Sequence, residues 1–293
     1  MNITTTESEN LVVFKRVIEG YILSCVCIIG LIGNSITCLS ILLNRVRRSS
    51  PTDIYIFGLS FISIFVLAGF LLTHGIRSTF HEYGEIIHRY LFIRVFPAHV
   101  TCLLIQIYLT AAISIDRFLL ICRWRTFSYR KWRTPKRIIF IILSITLFSI
   151  LYCLPFWFEH VLIDNQYISL SSIGSQPLFR LLMRQYLYFI FVFFFTNVIY
   201  YNMYIINYTY VIKKHSRKIH TLLLSIMIIF LSTQLPYFIF NVIYALHGPS
   251  LMENIRARQY LVINNLLSTI NASTTFILYA LFGTKNSNNS QNI

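Results

Sequence analysis

The segment VFPAHVTCLLIQIYLTAAISIDRFLLIC, residues 95–122, is a long apolar run that ends in an adjacent acid and base, Asp116 and Arg117. Residues 95–115 contain no Asp, Glu, Lys or Arg. A helix needs about 20 apolar residues to cross a bilayer, so this run is long enough. Because it lacks the strict alternation of a barrel strand, a helix is the expected spanning structure. The segment therefore predicts a transmembrane helix with a charged end at one membrane surface.

Six further apolar windows flank this one, and short charged segments separate them. The predicted spans lie near residues 20–43, 54–73, 95–122, 138–158, 185–212, 217–246 and 259–282. The chain has 56% hydrophobic and 12% charged residues, about half the charged fraction of a soluble domain. The sequence therefore predicts an all-α membrane protein, a seven-transmembrane helix bundle over residues 20–283.

The distribution of Lys and Arg predicts the orientation of the bundle. Most of the 25 basic residues lie in the connections after odd-numbered spans, where the only acids are Asp53 and Asp116. Basic connections face the cytoplasm, so we expect an extracellular N-terminus at 1–19 and a short cytoplasmic tail at 284–293 of a plasma-membrane protein. This topology explains the net charge of +15, because the basic loops face the cytoplasm and can also contact anionic lipid. A nucleic-acid partner is therefore not needed to explain the charge. Asn2, in Asn2-Ile3-Thr4, is then an expected glycosylation site.

Catalytic and metal-binding patterns are missing from the sequence. It contains no HExxH, no GxSxG, no Gly-rich phosphate loop and no paired carboxylates within a span. The six cysteines lie inside or beside apolar stretches, where free thiols are expected rather than disulfides. We therefore expect no enzyme activity, no cofactor and no metal site.

Isolated polar residues in the spans resemble the signature positions of rhodopsin-like G-protein-coupled receptors. Gly33-Asn34 in the first span resembles that family's Gly-Asn pair, and Asp116-Arg117-Phe118 resembles its Asp-Arg-Tyr, with Phe118 in place of tyrosine. The resemblance implies that Asn34 ties the first, second and seventh helices together. It also implies that Asp116 neutralises Arg117 at rest, and that ligand binding frees Arg117 for a heterotrimeric G protein. The alternative is that Asp-Arg only ends the helix at the interface.

The sixth and seventh spans carry weaker likenesses to the same family. FLSTQLP (230–236) resembles Phe-x-x-Cys-Trp-x-Pro, so Pro236 is expected to kink the sixth helix, as a hinge or as a tolerated structural bend. TFILY (275–279) stands in the place of Asn-Pro-x-x-Tyr. The resemblance implies that Tyr279 and Tyr208 stabilise the active state near Arg117, although either could be an interfacial anchor. Asn271 is expected to make a polar contact between helices.

Several positions depart from the family pattern. Ser63 stands where the second span would hold an aspartate, so the buried sodium site is expected to be absent. The sixth span begins at Ser216-Arg217-Lys218 without an acid, so no lock to the third helix is expected. Neither the outer end of the third span nor residues 154–184 contain a cysteine, so the usual loop disulfide is missing.

The segment ILYCLPFWFE (150–159) resembles the corresponding part of FMRFamide-receptor-like invertebrate neuropeptide receptors, which implies a peptide ligand. The outer third span has no acid, which argues against an amine ligand. Glu159 and Glu253 are expected to meet a cationic peptide end. The other pocket candidates are polar or aromatic residues in the outer parts of spans, each of which could equally be a packing residue: His99, Gln106, Gln234, Tyr237, Asn241, Asn264 and Asn265.

Three other interpretations remain open at this point. A chemosensory receptor for small molecules would use the same helices around a more closed pocket. A divergent receptor with weak or no signalling would explain the altered motifs. A transporter or channel should show internal repeats, broken helices or charges at mid-membrane, and the sequence displays none.

Overall fold

The structure is a computed structural model that describes residues 3–44, 50–80, 82–83, 87–122, 133–163, 167–183 and 214–283. Long α-helices make up most of it. In chain order they are α1 (Ile3–Lys15), α2 (Ser24–Leu43), α3 (Pro51–Phe70), α4 (Ile76–Thr79), α5 (His88–Cys122), α6 (Pro135–Cys153), α7 (Pro177–Leu181), α8 (Lys214–His247) and α9 (Ile255–Gly283). The predicted fifth span, 185–212, lies outside the described residues.

Irregular helical segments connect several of these elements. A π-helical stretch, Arg16–Leu23, joins α1 to α2, and another, Leu71–Gly75, joins α3 to α4. Short 3-10 segments, Leu154–Phe158 and Gly248–Glu253, follow α6 and α8. The helix that holds the first predicted span therefore begins before residue 20, well inside the predicted extracellular segment.

Four helical stretches are long and apolar enough to cross a membrane in the part of the chain whose side chains are described. They are Glu9–Leu43, Pro51–Thr79, His88–Asp116 and Pro135–Phe158. The other two long helices, α8 and α9, contain 34 and 29 residues, which also exceeds the length of about 20 that a span needs.

The outer faces of the bundle are apolar. Exposed side chains on α2 and α6 recur every three or four residues, the spacing of one helix face. More than half of the surface of each is accessible for Ile29, Ile32, Ile36, Phe140, Leu143 and Leu147. Such continuous apolar stripes are unfavourable in water, whereas lipid covers them.

Glycines allow α2 and α9 to pack closely. A Cβ atom at Gly33 would lie 2.4 Å from Cγ of Phe276, and one at Gly30 would lie 2.4 Å from Oγ of Ser273. The Ser273 hydroxyl donates a hydrogen bond to the Val26 carbonyl at 3.0 Å. Small residues at an interface let helix backbones approach in this way within a membrane.

A β-hairpin follows α6, although only helical spans were predicted from the sequence. Strand β1 (His160–Ile163) pairs antiparallel with β2 (Tyr167–Leu170). The His160 ring packs edge-on against the rings of Phe92 and Phe96 of α5, with centroids 5.5 and 5.3 Å away. These ring contacts hold the hairpin on α5 without a disulfide, and the five cysteines with described side chains are free.

Candidate functional site

A buried ion pair links three helices near the charged end of α5. Arg133 Nε donates to both carboxylate oxygens of Asp116, at 2.8 and 3.0 Å, and Arg133 Nη2 donates to Thr52 Oγ1 at 3.0 Å. The side chains of Asp116 and Arg133 are only 4% and 11% exposed. We call Asp116, Arg133 and Thr52 the Asp116 cluster.

Local sequence places two members of the Asp116 cluster, Thr52 and Arg133, at helix starts. Thr52 lies in the first turn of α3, directly after Pro51. Arg133 precedes Thr134 and Pro135, and proline at the first helical position favours the start of α6 there. From the sequence alone, Arg133 is only one of many basic loop residues. Its position, as the last cation before a Thr-Pro helix start, was the available signal.

The side chains of several predicted switch residues lie outside the described part of the structure. The backbone of Arg117 and Phe118 continues α5, and that of Tyr279 lies in α9, but the side chains of all three are outside the description. Tyr208 and Asn2 are wholly outside it. The predicted contact between Asp116 and Arg117 therefore stays a prediction, while Arg133 is a described partner of Asp116.

A neutral polar network occupies the middle of the bundle. Gln106 Nε2 donates to Ser63 Oγ at 3.1 Å, and Ser63 Oγ lies 3.4 Å from Thr275 Oγ1. These three side chains are buried. An adjoining cavity of about 20 Å³, room for a water molecule, is lined by Leu59, Gln106, Thr110, Ile229, Asn271, Thr274 and Thr275. Among the described residues, its lining includes amide and hydroxyl groups but no carboxylate, and the predicted absence of a sodium site stays a prediction.

The network also changes how two predicted residues are interpreted. Because its amide is bonded to Ser63, Gln106 lies with the central network rather than in an outer ligand pocket. Asn271 lines the cavity, but its side chain makes no hydrogen bond in the described part of the chain. Asn34 Nδ2 donates to the carbonyls of Gly30 and Ala272, at 2.8 and 3.3 Å, and so joins α2 to α9.

The proline of α8 is hydrogen-bonded to α9. The Pro236 carbonyl accepts a bond from the Tyr260 hydroxyl at 3.1 Å and another from Asn264 Nδ2 at 3.4 Å. Nearby, Asn241 Nδ2 donates to the Tyr237 carbonyl within α8 at 3.0 Å. The seventh helix therefore contacts the sixth at the residue that is predicted to kink it.

Buried polar atoms mark the outer half of the predicted pocket. His99 is 5% exposed, and its ring packs edge-on against Phe70 with centroids 4.5 Å apart. Its Nε2 atom, like Oδ1 of Asn264, has no hydrogen-bond partner among the described residues. Buried polar atoms are rarely left unpaired, so these two sites are suited to a ligand or a water. Gln234 is also buried, at 3% exposure.

Glu159 lies under the hairpin rather than in the pocket. It is 1% exposed, its carbonyl accepts a bond from the Ser171 amide at 2.9 Å, and its Oε2 lies 3.8 Å from His160 Nδ1. A peptide cannot reach this carboxylate unless the hairpin moves, so its predicted role as a peptide contact is not supported by the geometry. Glu253, by contrast, is exposed at the end of its 3-10 segment.

A third buried acid, Glu19, lies in the segment that the sequence predicts to be the extracellular tail, and it was therefore not among the predicted site residues. Its Oε1 accepts a bond from Asn265 Nδ2 at 2.9 Å, and its Oε2 accepts one from Ser78 Oγ at 3.2 Å. Glu19 is 6% exposed and lies in the π-helical stretch before α2. Next to it, Thr79 Oγ1 donates to the Gly20 carbonyl at 3.2 Å. One acid thus joins the ends of three helices.

The connection after α4 is tied to the same end of the bundle. The Tyr83 hydroxyl donates to the Leu72 carbonyl at 3.0 Å. Partial burial raises the pKa of Tyr83, so the phenol stays a neutral donor. Thr52, in the Asp116 cluster, and Ser78, which bonds to Glu19, both lie in the helical run Pro51–Thr79. At 1.5 Å per residue they are roughly 40 Å apart, so Asp116 and Glu19 lie at opposite ends of this run.

Lipid-facing apolar stripes, helices of spanning length and buried polar clusters together define a polytopic α-helical membrane protein. Residues 33–279 match the sequence model of the 7 transmembrane receptor (rhodopsin family), and the chain belongs to that family. The match confirms the predicted seven-helix membrane bundle, and the members of this family are receptors rather than enzymes. The comparison with curated proteins found no match. The likeness to neuropeptide receptors therefore stays a prediction.

Proposed function

We propose that this receptor binds an extracellular peptide and activates a heterotrimeric G protein at the end of the bundle that holds Asp116. The observation that carries the proposal is the buried contact of Asp116 with Arg133, directly beside Arg117 in the sequence. The charge distribution supports a cytoplasmic location for this end, in the plasma membrane, with the N-terminus outside and Asn2 glycosylated.

Arg133 gives the predicted switch a third member. Both oxygens of Asp116 already accept bonds from Arg133, so the acid is shared between two arginines rather than reserved for Arg117. In the proposed mechanism, an outward swing of the sixth helix about Pro236 opens the surface where Arg117 meets the C-terminus of Gα. Tyr208 and Tyr279 then stabilise that open state.

On the opposite side of the bundle, the proposed peptide contacts are the six pocket candidates other than Gln106 and Glu159: His99, Gln234, Tyr237, Asn241, Asn264 and Asn265. The unpartnered atoms of His99 and Asn264 support this choice, because a ligand amide could bond to either of them. A peptide activates the receptor only if it binds the swung state better than the resting state.

The test expresses the full chain with reporters for each Gα class and applies a library of amidated peptides. We expect a response to one peptide group that is lost in Arg117→Ala and kept in Lys136→Ala, an exposed cation near Arg133. Asp116→Asn should raise basal signalling per surface receptor, and Arg133→Met should lower it, because Asp116 then pairs only with Arg117. A merely structural role for the cluster would move both variants in the same direction.

Other results would contradict parts of the proposal. A response only to small volatile molecules would replace the peptide with a chemosensory ligand. Silence to all ligands, with no basal change in Asp116→Asn, would indicate a receptor that does not signal. Epitope tags stained on the same side of the plasma membrane would overturn the topology itself.

A further inference from the structure

Three cations lie near Glu19, because each is close in sequence to Glu19 itself or to one of the two residues that bond to its carboxylate. Lys15 precedes Glu19 by four residues, or one helical turn, and Arg77 directly precedes Ser78. Arg258 precedes Asn265 by seven residues, which is two turns and the same face of α9. Lys15 lies within electrostatic reach of Glu19, Arg77 and Arg258. We call Glu19 and these three cations the Glu19 cluster.

The acid of the Glu19 cluster attracts its neighbouring cations but offsets only one of the three positive charges. Both oxygens of Glu19 take their bonds from neutral donors, Asn265 and Ser78. Among the described residues, Lys15 and Arg77 form no ion pair and no side-chain hydrogen bond. Arg258 donates its Nε to the Met252 carbonyl, so its two terminal nitrogens remain for another acceptor. One acid and three cations leave a net charge of two positive units.

The cations are also accessible. Arg77 and Arg258 are exposed and Lys15 is half-buried, whereas Glu19 is buried beneath them. Guanidinium groups match carboxylates and phosphates in shape and charge, and bonds between charged partners are about twice as strong as neutral ones. A cationic group would be repelled by the same rim. Glu19 acts as a positioning residue that holds the ends of three helices together beneath the cations.

We infer that the Glu19 cluster is an anion-binding site that takes a carboxylate or phosphate group among Lys15, Arg77 and Arg258, at the end of the bundle predicted to lie outside. The same chemistry is offered by a soluble ligand and by the phosphate of a lipid headgroup. The site requires neither a G protein nor the pocket around His99, so its test stands apart from that of the proposed function.

The test uses the full chain in nanodiscs of phosphatidylcholine, with inorganic phosphate and acetate as separate probes at constant ionic strength. Thermal unfolding is followed by the reaction of a dye with buried thiols such as Cys27 and Cys153. An anion that binds the folded state raises the unfolding midpoint in a saturable way. We expect the half-saturating concentration to rise about tenfold in Arg77→Gln and in Arg258→Gln, each of which removes a charge-assisted bond.

Matched controls come from neighbouring cations on other helix faces. Arg256→Gln removes an exposed arginine two residues from Arg258, and Arg16→Gln removes one next to Lys15. Both should bind the probes as the wild type does. The proposal is overturned if the wild type shows no saturable stabilisation, or if Arg256→Gln weakens binding as much as Arg258→Gln. The shift of each variant is measured from its own unfolding midpoint without anion, so that a change in basal stability is not mistaken for lost binding.

A lipid arm identifies the source of the anion. Nanodiscs that contain phosphatidylglycerol should raise the midpoint of the wild type, and abolish the effect of added phosphate, if a lipid headgroup fills the site. In Arg77→Gln, both effects of phosphatidylglycerol should be weaker than in the wild type. If phosphatidylglycerol leaves the phosphate response unchanged, the site takes a soluble anion instead.

Discussion

At each end of the bundle a buried acid lies near an arginine, but these two acids, Asp116 and Glu19, are satisfied in different ways. Asp116 accepts its bonds from the guanidinium of Arg133, and both side chains are largely buried. Glu19 accepts its bonds from an amide and a hydroxyl, while Arg77 stays exposed nearby. A direct ion pair neutralises its own charges. Neutral donors leave the neighbouring cations available to a partner outside the chain.

The difference matters because a buried charge without a partner is costly. Removing one member of a buried pair leaves the other charge uncompensated in a medium of low dielectric constant. Removing a neutral donor leaves only an unmade hydrogen bond. The Asp116 cluster should therefore be sensitive to single substitutions, and the Glu19 cluster should be sensitive mainly through its acid.

The largest effect is expected for Arg133→Met, which leaves Asp116 buried without this cation. We expect the free energy of unfolding to fall by about 3 kcal/mol, the lower end for a broken buried pair because Arg133 keeps some exposure. The measurement is thermal unfolding of the purified receptor, followed by the accessibility of its buried thiols.

A double variant separates the cost of leaving Asp116 without its cation from the cost of losing the Arg133 side chain. Asp116→Asn combined with Arg133→Met removes both charges, so it should be less destabilised than Arg133→Met alone. Lys136→Met serves as the control, because Lys136 is exposed near the start of α6. If Arg133→Met and Lys136→Met unfold at the same temperature, the ion pair does not stabilise this end of the bundle.

A smaller loss is expected for Glu19→Ala. The change leaves the Asn265 amide buried without its acceptor and Ser78 without its partner, which should cost about 2 kcal/mol. Glu19→Gln should cost less, since the Gln carbonyl can still accept one bond. The comparison with Glu9→Ala, an exposed acid earlier in the same helical run, checks that the effect belongs to the buried position. Equal midpoints for these two alanine variants would contradict the role assigned to Glu19.

Sequence reasoning predicted the helical spans because the signal for a span is local. An unbroken apolar run within one helix is enough, and the family match over residues 33–279 agrees with it. The Asp116 cluster was predicted only in part, since Asp116 stands in a recognisable motif whereas Arg133 is 17 residues further on in a basic loop. Which of several loop cations folds back onto the acid depends on where helix ends meet.

The Glu19 cluster could not be predicted from the sequence either, because its contacts join residues that are much further apart in the chain. Glu19 and Asn265 are 246 residues apart, and they meet only because glycines bring α2 and α9 together. Glu159 and Gln106 were assigned to the pocket from their places along the chain. In the structure, the hairpin covers Glu159, and the rotation of α5 turns Gln106 toward Ser63. No local sequence pattern determines the hairpin or this rotation.

The smallest effect is expected for Arg77→Gln in phosphatidylcholine nanodiscs without phosphate or acetate. Arg77 is exposed, repels Lys15 and attracts Glu19, so its removal makes two small changes of opposite sign, and the free energy of unfolding should change by no more than about 0.3 kcal/mol at low salt. At about 1 M salt, where charges are screened beyond roughly 3 Å, any difference should vanish. The Arg133→Met loss should persist there, because buried pairs are screened much less. A salt-independent loss of about 1 kcal/mol or more in Arg77→Gln would show that Arg77 has a buried partner, and the two ends of the bundle would then be stabilised in the same way.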